Sequence, residues 1–245
     1  MDLGIAGRRA AVAAASAGLG FASAEALAAE GAEVVLCGSD DGRARAAAER
    51  IGARHLVADL TDPDACERFV VEATAALGGL DILVVNGPGP TPGTAVDTPA
   101  SAYQAALDAN LLSVVRMCLA AVPGMRAQGW GRIVAITSLG VRQPYPNLVL
   151  SNTARAGATG FLRTLATEVA ADGVTVNSVL PGLHDTARLQ KASGPGGPDL
   201  TAVPAGRTGQ AADFGAVVAF LCSAQASYLT GTTLPVDGGA HQGLL

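Results

Sequence analysis

Short apolar runs alternating with longer stretches of helical periodicity predict a doubly wound α/β fold, a mostly parallel seven-stranded sheet with helices on both faces. Three observations carry that prediction. The candidate strands at 9–14, 33–37, 55–58, 81–86, 132–137, 174–179 and 233–236 are near-continuous apolar runs, the pattern of strands buried on both faces of a parallel sheet. The intervening stretches, such as 21–30, 65–77 and 156–171, place apolar residues at helical spacing, as right-handed crossovers require. Hydrophobic residues make up 49% of the 245 residues and charged ones only 15%, ample for a large core and too apolar for a disordered chain.

Taken in order, the first strand runs into Ala13-Ala14-Ala15-Ser16-Ala17-Gly18-Leu19-Gly20 and then a helix. A glycine-bearing turn of this kind lets backbone N–H groups and a helix N-terminus approach a diphosphate; the alternative is that Gly18 and Gly20 only turn and pack. The second strand ends at Gly38 and the third at Asp59-Leu60. Asp62-Pro63 supplies an N-cap with Pro at the first helical position. The fourth strand ends at Asn86-Gly87, and the fifth at Ser138, followed by the loop 139–150. Asp172-Gly173 stops the helix before the sixth strand, which leads into Pro181–Thr186. The stretch 192–209 is rich in Gly and Pro. With the residues from 184 onward it is expected to be a mobile lid over a substrate; a plain surface connection is the alternative. Nothing resembles a linker, so residues 1–245 are expected to form one domain.

Charge and cysteine usage exclude several classes. The net charge is −5 and no basic stripe occurs, which argues against a nucleic-acid partner. Cys37, Cys66, Cys118 and Cys222 are far apart, and there are only three histidines. Buried, inert thiols are therefore expected, with no metal site and no disulfide framework. Arg8-Arg9 before an Ala-rich run imitates a twin-arginine export signal, but Gly18, Gly20 and Glu25 interrupt it too early. No run is expected to reach the roughly 18 apolar residues of a membrane span. These readings give a cytoplasmic protein with a small-molecule substrate and no membrane partner.

The order of the motifs resembles the short-chain dehydrogenase/reductase family over nearly the whole chain. The chain is identified as a divergent member similar to the family's 3-oxoacyl-carrier-protein reductases. Gly18 and Gly20 match the last two glycines of TGxxxGxG, while Ala13 and Ala14 replace its Thr and first Gly; the turn survives the change provided φ there is negative. Val85-Asn86-Gly87-Pro88 lies where NNAG is expected, Asn110 where the catalytic-network Asn is, and Ser138 where the active-site Ser is. Pro181-Gly182-Leu183-His184-Asp185-Thr186 fits PGxxxT. Tyr228–Gly231 and Val236–Gly239 resemble the C-terminal signature. The resemblance implies a Rossmann-like fold binding NAD or NADP through Ala14, Ser16, Gly18, Leu19, Gly20, Asp59, Leu60, Asn86, Gly87, Arg155, Pro181, Gly182 and Thr186. It also implies a homodimer or homotetramer paired through the Ala- and Leu-rich helices at 111–128 and 151–171. The ribose-binding Asp position is Gly38, and the cation positions of NADP-type members are Ser39 and Ala17. NAD is slightly favoured, because a phosphate needs a cation more than a diol needs a carboxylate.

The departure lies in YxxxK. Thirteen residues after Ser138 stands Ser151, and four further on stands Arg155. A Ser hydroxyl is far weaker as an acid than a phenol and needs its own base. Arg keeps its charge and cannot relay a proton, though it can bind ribose hydroxyls or an oxyanion. The proton donor must then be non-standard. Tyr145, stiffened by Pro144 and Pro146, and His184 are the candidates beside Ser138, Ser151, Arg155 and Asn110, each with a plain packing or loop alternative. The expected function is an NAD(P)-dependent oxidoreductase acting on a carbonyl or alcohol. A catalytically degenerate dinucleotide-binding protein and a non-redox lyase or isomerase in the same cleft are the alternatives. Few charges in the lid suggest a neutral or weakly anionic substrate.

Overall fold

The computed structural model describes residues 2–244. Seven parallel strands form the sheet: β1 (Arg9–Val12), β2 (Glu33–Gly38), β3 (Arg54–Val57), β4 (Ile82–Val85), β5 (Gly131–Ile136), β6 (Val174–Pro181) and, after two short strands described below, β9 (Thr233–Val236). Their order is β3-β2-β1-β4-β5-β6-β9. β1 is central, with Ala11 opposite Val35 on one side and Leu83 on the other. The order reverses between β1 and β4, so a crevice opens beyond their carboxyl ends, the general position of ligands in such sheets.

Helices cover both faces because their apolar stripes match the sheet's two buried sides. One layer holds α1 (Gly18–Ala29), α2 (Asp41–Ile51) and α8 (Ala211–Leu221), packed through Phe21, Leu27 and Phe214 onto Val12 and Ile82. The other holds α3 (Pro63–Leu77), α5 (Ser113–Ala127) and α6 (Val149–Val169), packed through Phe69, Met117 and Leu162 onto Leu83 and Ile133. Asp62 caps α3 by accepting from the Asp64 N–H, with Pro63 in the first turn. Gly173 ends the α6 region at φ +75°, a left-handed stop that glycine adopts without steric cost.

α4 (Ser101–Leu107), a π-helical turn (Asp108–Leu112) and α5 run on as one helix. This corrects the expectation that no segment is long and apolar enough for a membrane: Ser101–Ala127 passes that test by length and composition. Half of its most apolar window is buried inside the protein, and it packs against α3 and α6, so its apolarity serves the core. The four cysteines are free and buried. Burial pushes Cys37, Cys118 and Cys222 up to about 12 and Cys66 to about 11, which keeps them as thiols.

The segment 184–209 is more ordered than a Gly/Pro loop suggests. Its ends pair as β7 (His184–Asp185) and β8 (Gly209–Gln210), and it contains α7 (Ala187–Ser193).

Candidate functional site

The sheet's carboxyl edge brings two clusters together. The first is the turn after β1. The chain leaves the ladder as the Ala13 N–H bonds the Val84 oxygen (2.9 Å) and the Ala15 N–H bonds the Cys37 oxygen (2.7 Å). Between them Ala14 has φ +47°, so the turn forms without the negative φ on which its survival was made to depend. An alanine in this region carries a strain of about 1–2 kcal/mol. Neighbours hold it there: the Asn86 side-chain amide donates to the Ala14 oxygen at 3.1 Å, and the Ala14 N–H reaches the Cys37 sulfur at 3.4 Å. Gly20 is the counterpart of that bend. A Cβ on it would stand 2.5 Å from the Ala14 oxygen and 2.7 Å from Nδ2 of Asn86, so only glycine fits.

α1 then begins at Gly18, three residues before the expected start. Its cap residue, Ala17, offers no side-chain acceptor, and its first turn holds no acidic residue. The N–H groups of Gly18, Leu19 and Gly20 therefore face the crevice with the positive end of the helix dipole behind them, the requirement for a diphosphate. Across the crevice, Thr186 caps α7 by accepting from the Leu189 N–H (3.3 Å). Its Cγ2 lies 3.9 Å from where a Gly18 Cβ would be. Gly182 packs so closely on Asp237 that a Cβ would stand 2.6 Å from its Cα, which fixes Pro181-Gly182 at the end of β6. Gly87 abuts the Ala109 oxygen of the π turn.

At the end of β2, a Cβ on Gly38 would lie 3.0 Å from Oγ of Ser16, so a carboxylate there would displace the serine. Asp40 caps α2 by accepting from the Arg43 N–H at 2.8 Å, with the Arg43 guanidinium 3.5 Å away in an exposed pair. Asp59 accepts from the N–H and hydroxyl of Thr61 (3.0 and 2.8 Å), bonds that hold it below the usual carboxylate range. Leu60 is buried. These two lie beyond β3, and Leu60 joins the buried cluster that also holds Ala13 of the turn.

The second cluster lies beyond β5. Oγ of Ser138 accepts from the Gly140 N–H at 3.0 Å. A Cβ placed on Gly140 would stand 2.5 Å from Oδ1 of Asn152, 3.2 Å from Oγ of Ser138 and 3.4 Å from Cδ2 of Tyr145, so three side chains converge on the space glycine leaves. Asn152 was not singled out from sequence. Its amide donates to the Tyr145 oxygen (2.8 Å) and accepts from the Tyr145 N–H (3.4 Å), clamping the loop to the first turn of α6. Tyr145 is half-buried. Burial, and secondarily the charge of Asp237, push its phenol above its ordinary value near 10. Ser151 is buried one residue before the clamp.

Arg155 turns inward. Its Nη1 donates to the oxygens of Ile136 (3.0 Å) and Thr137 (3.2 Å) at the end of β5. Burial, then the neighbouring Arg188, lower it to about 10, still charged at neutral pH. Asn110 sits in the π turn, a distortion frequent at functional sites. Its amide donates to the Ala106 oxygen (3.3 Å), while its buried Oδ1 has no partner. His184 is buried, with its ring edge-on to Phe214 at 5.1 Å. Burial lowers its pKa, and it lines a cavity of about 150 Å³ with Leu183, Arg207, Asp213 and Asp237.

A family model described as enoyl-(acyl carrier protein) reductase matches residues 13–241. The chain is 36% identical over 238 residues to the 3-oxoacyl-[acyl-carrier-protein] reductase FabG of Escherichia coli, covering 96% of this chain and 98% of that one. It is 32% identical to the dehydrogenase/reductase SDR family member 4 of Bos taurus, covering 94% and 85%. Among solved structures, the L-sorbose reductase of Gluconobacter frateurii complexed with NADPH and L-sorbose superposes with a TM-score of 0.92, at 32% identity and full coverage of both chains. With that coverage, and with the parallel sheet in place, the chain belongs to the short-chain dehydrogenase/reductase family of oxidoreductases.

Proposed function

We propose that the chain is an NADPH-linked reductase of a small carbonyl compound in which Tyr145 takes the place of the family's proton donor. The observation that carries the reading is the meeting of Ser138, Tyr145 and Asn152 around Gly140, at the end of β5. Bound at the 14–20 turn, NADPH supplies the hydride. Ser138 holds the carbonyl oxygen by hydrogen bonding, Asn152 fixes the Tyr145 backbone, and the phenol gives its proton to that oxygen. A phenol raised above its ordinary value stays protonated at neutral pH and so holds the proton to be given, while the same burial weakens it as an acid. Arg155, tied to the β5 oxygens, keeps a fixed positive charge beside the site.

The sequence alone tilts slightly to NAD. Gly38 with Ser16 against it leaves no carboxylate to repel a 2′-phosphate. Arg43 stands in the first turn of α2, and the sorbose reductase relative holds NADPH; together these favour NADPH. The segment 184–209 serves as a lid, with Thr186 closing on the glycine turn. Leu119, Phe220 and Leu234 are large exposed apolar residues on α5, α8 and β9, which supports self-association as a homodimer or homotetramer; light scattering tests it.

The functional test is NADPH consumption over a panel of ketones with wild type, Tyr145→Phe and Ser138→Ala. Turnover lost in both variants supports the reading. Turnover unchanged in Tyr145→Phe contradicts the assignment of the proton donor. The inward turn of Arg155 favours one second reading, a dinucleotide-binding protein without turnover, which that panel separates by finding saturable binding and no consumption.

A further inference from the structure

A second cation stands at the mouth of the cleft. Arg188, on α7, lies over the loop after β4: a Cβ on Gly89 would stand 2.5 Å from its Cζ. Arg155 lies over the end of β5, and β4 and β5 are neighbours in the sheet. The two groups stand at the carboxyl ends of neighbouring strands, near enough for Arg188 to disfavour the charge on Arg155. Among the described residues neither makes an ion pair with a carboxylate, a state they share with Arg50, Arg54, Arg132, Arg142, Arg163 and Arg207, whereas Arg8, Arg9, Arg43, Arg45, Arg68, Arg116 and Arg126 are paired. Asp185, the acidic residue nearest Arg188 in the lid, accepts instead from the Gln190 amide at 2.9 Å. Like charges left opposed at a cleft destabilise each other unless an anion comes between them.

The position indicates which anion. The diphosphate site is the turn after β1, where the lid contributes Thr186. The two arginines lie further along the sheet edge, over β4 and β5, on the side of Ser138 and Tyr145. We infer that Arg188 is a specificity-determining residue that, with Arg155, receives a carboxylate or phosphate group of the carbonyl substrate as the lid closes. The inference rests on the carbonyl reductase reading and names its substrate class: an oxo acid or an oxo phosphate in place of a neutral ketone. Gly89 belongs to the device, because its missing side chain is the seat of the Arg188 guanidinium.

The test reads binding and turnover separately. Short 2- and 3-oxo acids, such as pyruvate and acetoacetate, are compared with their methyl esters by calorimetry against the protein saturated with NADP⁺. The same pairs are compared by NADPH consumption, and the affinity for NADPH is measured alone. Arg188→Gln and Gly89→Ala are the variants; the second keeps the charge and dislodges it. The expected result is that acids bind better than esters by about 10-fold or more in wild type, the scale of a charge-assisted pair. That preference falls by about the same factor in Arg188→Gln and partly in Gly89→Ala, with NADPH affinity unchanged. Equal binding of acids and esters across the panel overturns the inference. So does a loss of NADPH affinity in Arg188→Gln with the acid preference intact, which assigns the arginine to the cofactor's phosphates. An acid preference that depends on Arg188 without any turnover supports the clamp while refuting the reductase reading.

Discussion

In the turn after β1 an alanine holds a left-handed bend that glycine adopts more freely; on α6, Ser151 is buried and Arg155 reaches the end of β5. The two regions respond differently because different things hold them. Ala14 is fixed by the Cys37 sulfur on β2 and the Asn86 amide just after β4, with backbone bonds on either side of it, so the conformation is imposed from outside and tolerates about 1–2 kcal/mol of local strain. The α6 face depends on what its side chains reach. Ser151 is short and buried, while the Arg155 guanidinium finds the β5 oxygens. A backbone conformation imposed by its neighbours tolerates a change of side chain more readily than a role that depends on what one side chain can reach.

The largest effect that would break this comparison is at Gly20. Gly20→Val forces atoms into the Ala14 oxygen and the Asn86 amide. Dinucleotide affinity measured by fluorescence titration is expected to fall more than about 100-fold, with stability reduced by about 1–3 kcal/mol. Unchanged affinity removes the turn from the site. Next is Ser138→Ala, where turnover is expected to fall about 10²-fold with dinucleotide affinity intact, as for loss of one donor to a developing oxyanion. A parallel fall in affinity would place Ser138 in the binding half instead.

Arg155→Met sharpens the α6 side. It leaves the Ile136 and Thr137 oxygens without their donor, and a loss of about 1–3 kcal/mol in denaturant unfolding is expected. A neutral result would mean water replaces the guanidinium there.

His184 gives a pH test of the lid base. Burial lowers its folded pKa below its ordinary 6.5, so the unfolded chain binds the extra proton first. Its contribution to stability is present above 6.5 and is lost as pH falls from there through the lowered folded value. His184→Gln is expected to flatten the acid limb of the stability curve; an unaltered limb assigns that loss to other groups.

The smallest expected effect is at Ala14. Ala14→Gly relieves the left-handed strain but frees the unfolded chain, for a net gain of about 1 kcal/mol or less in unfolding experiments. Destabilisation would show that the bend is unstrained.

The strands were legible because parallel ladders are written as continuous apolar runs, and the motif order placed Gly18, Gly20, Asn86 and Ser138 at the crevice. The end of β1 was misjudged by two residues because Ala13-Ala14-Ala15 is as apolar as the strand it leaves. The sign of φ at Ala14 has no signature in an alanine. Asn152 could be valued only once the loop 139–148 was seen folded back on α6, since its partners are backbone atoms that no spacing rule identifies. The apolar helix 101–127 spans a π turn, so short-window reading breaks it in two. The burial of His184 follows from Phe214, distant in sequence and brought near by packing α8 on β6.

The account stands on the 14–20 turn gripping a dinucleotide despite its alanine. Calorimetric titration of the wild-type chain with NADPH tests that most directly. Saturable heat with one site per chain, competed by NADP⁺, is the predicted result; absence of heat with both NADPH and NADH at concentrations well above the millimolar range would contradict it.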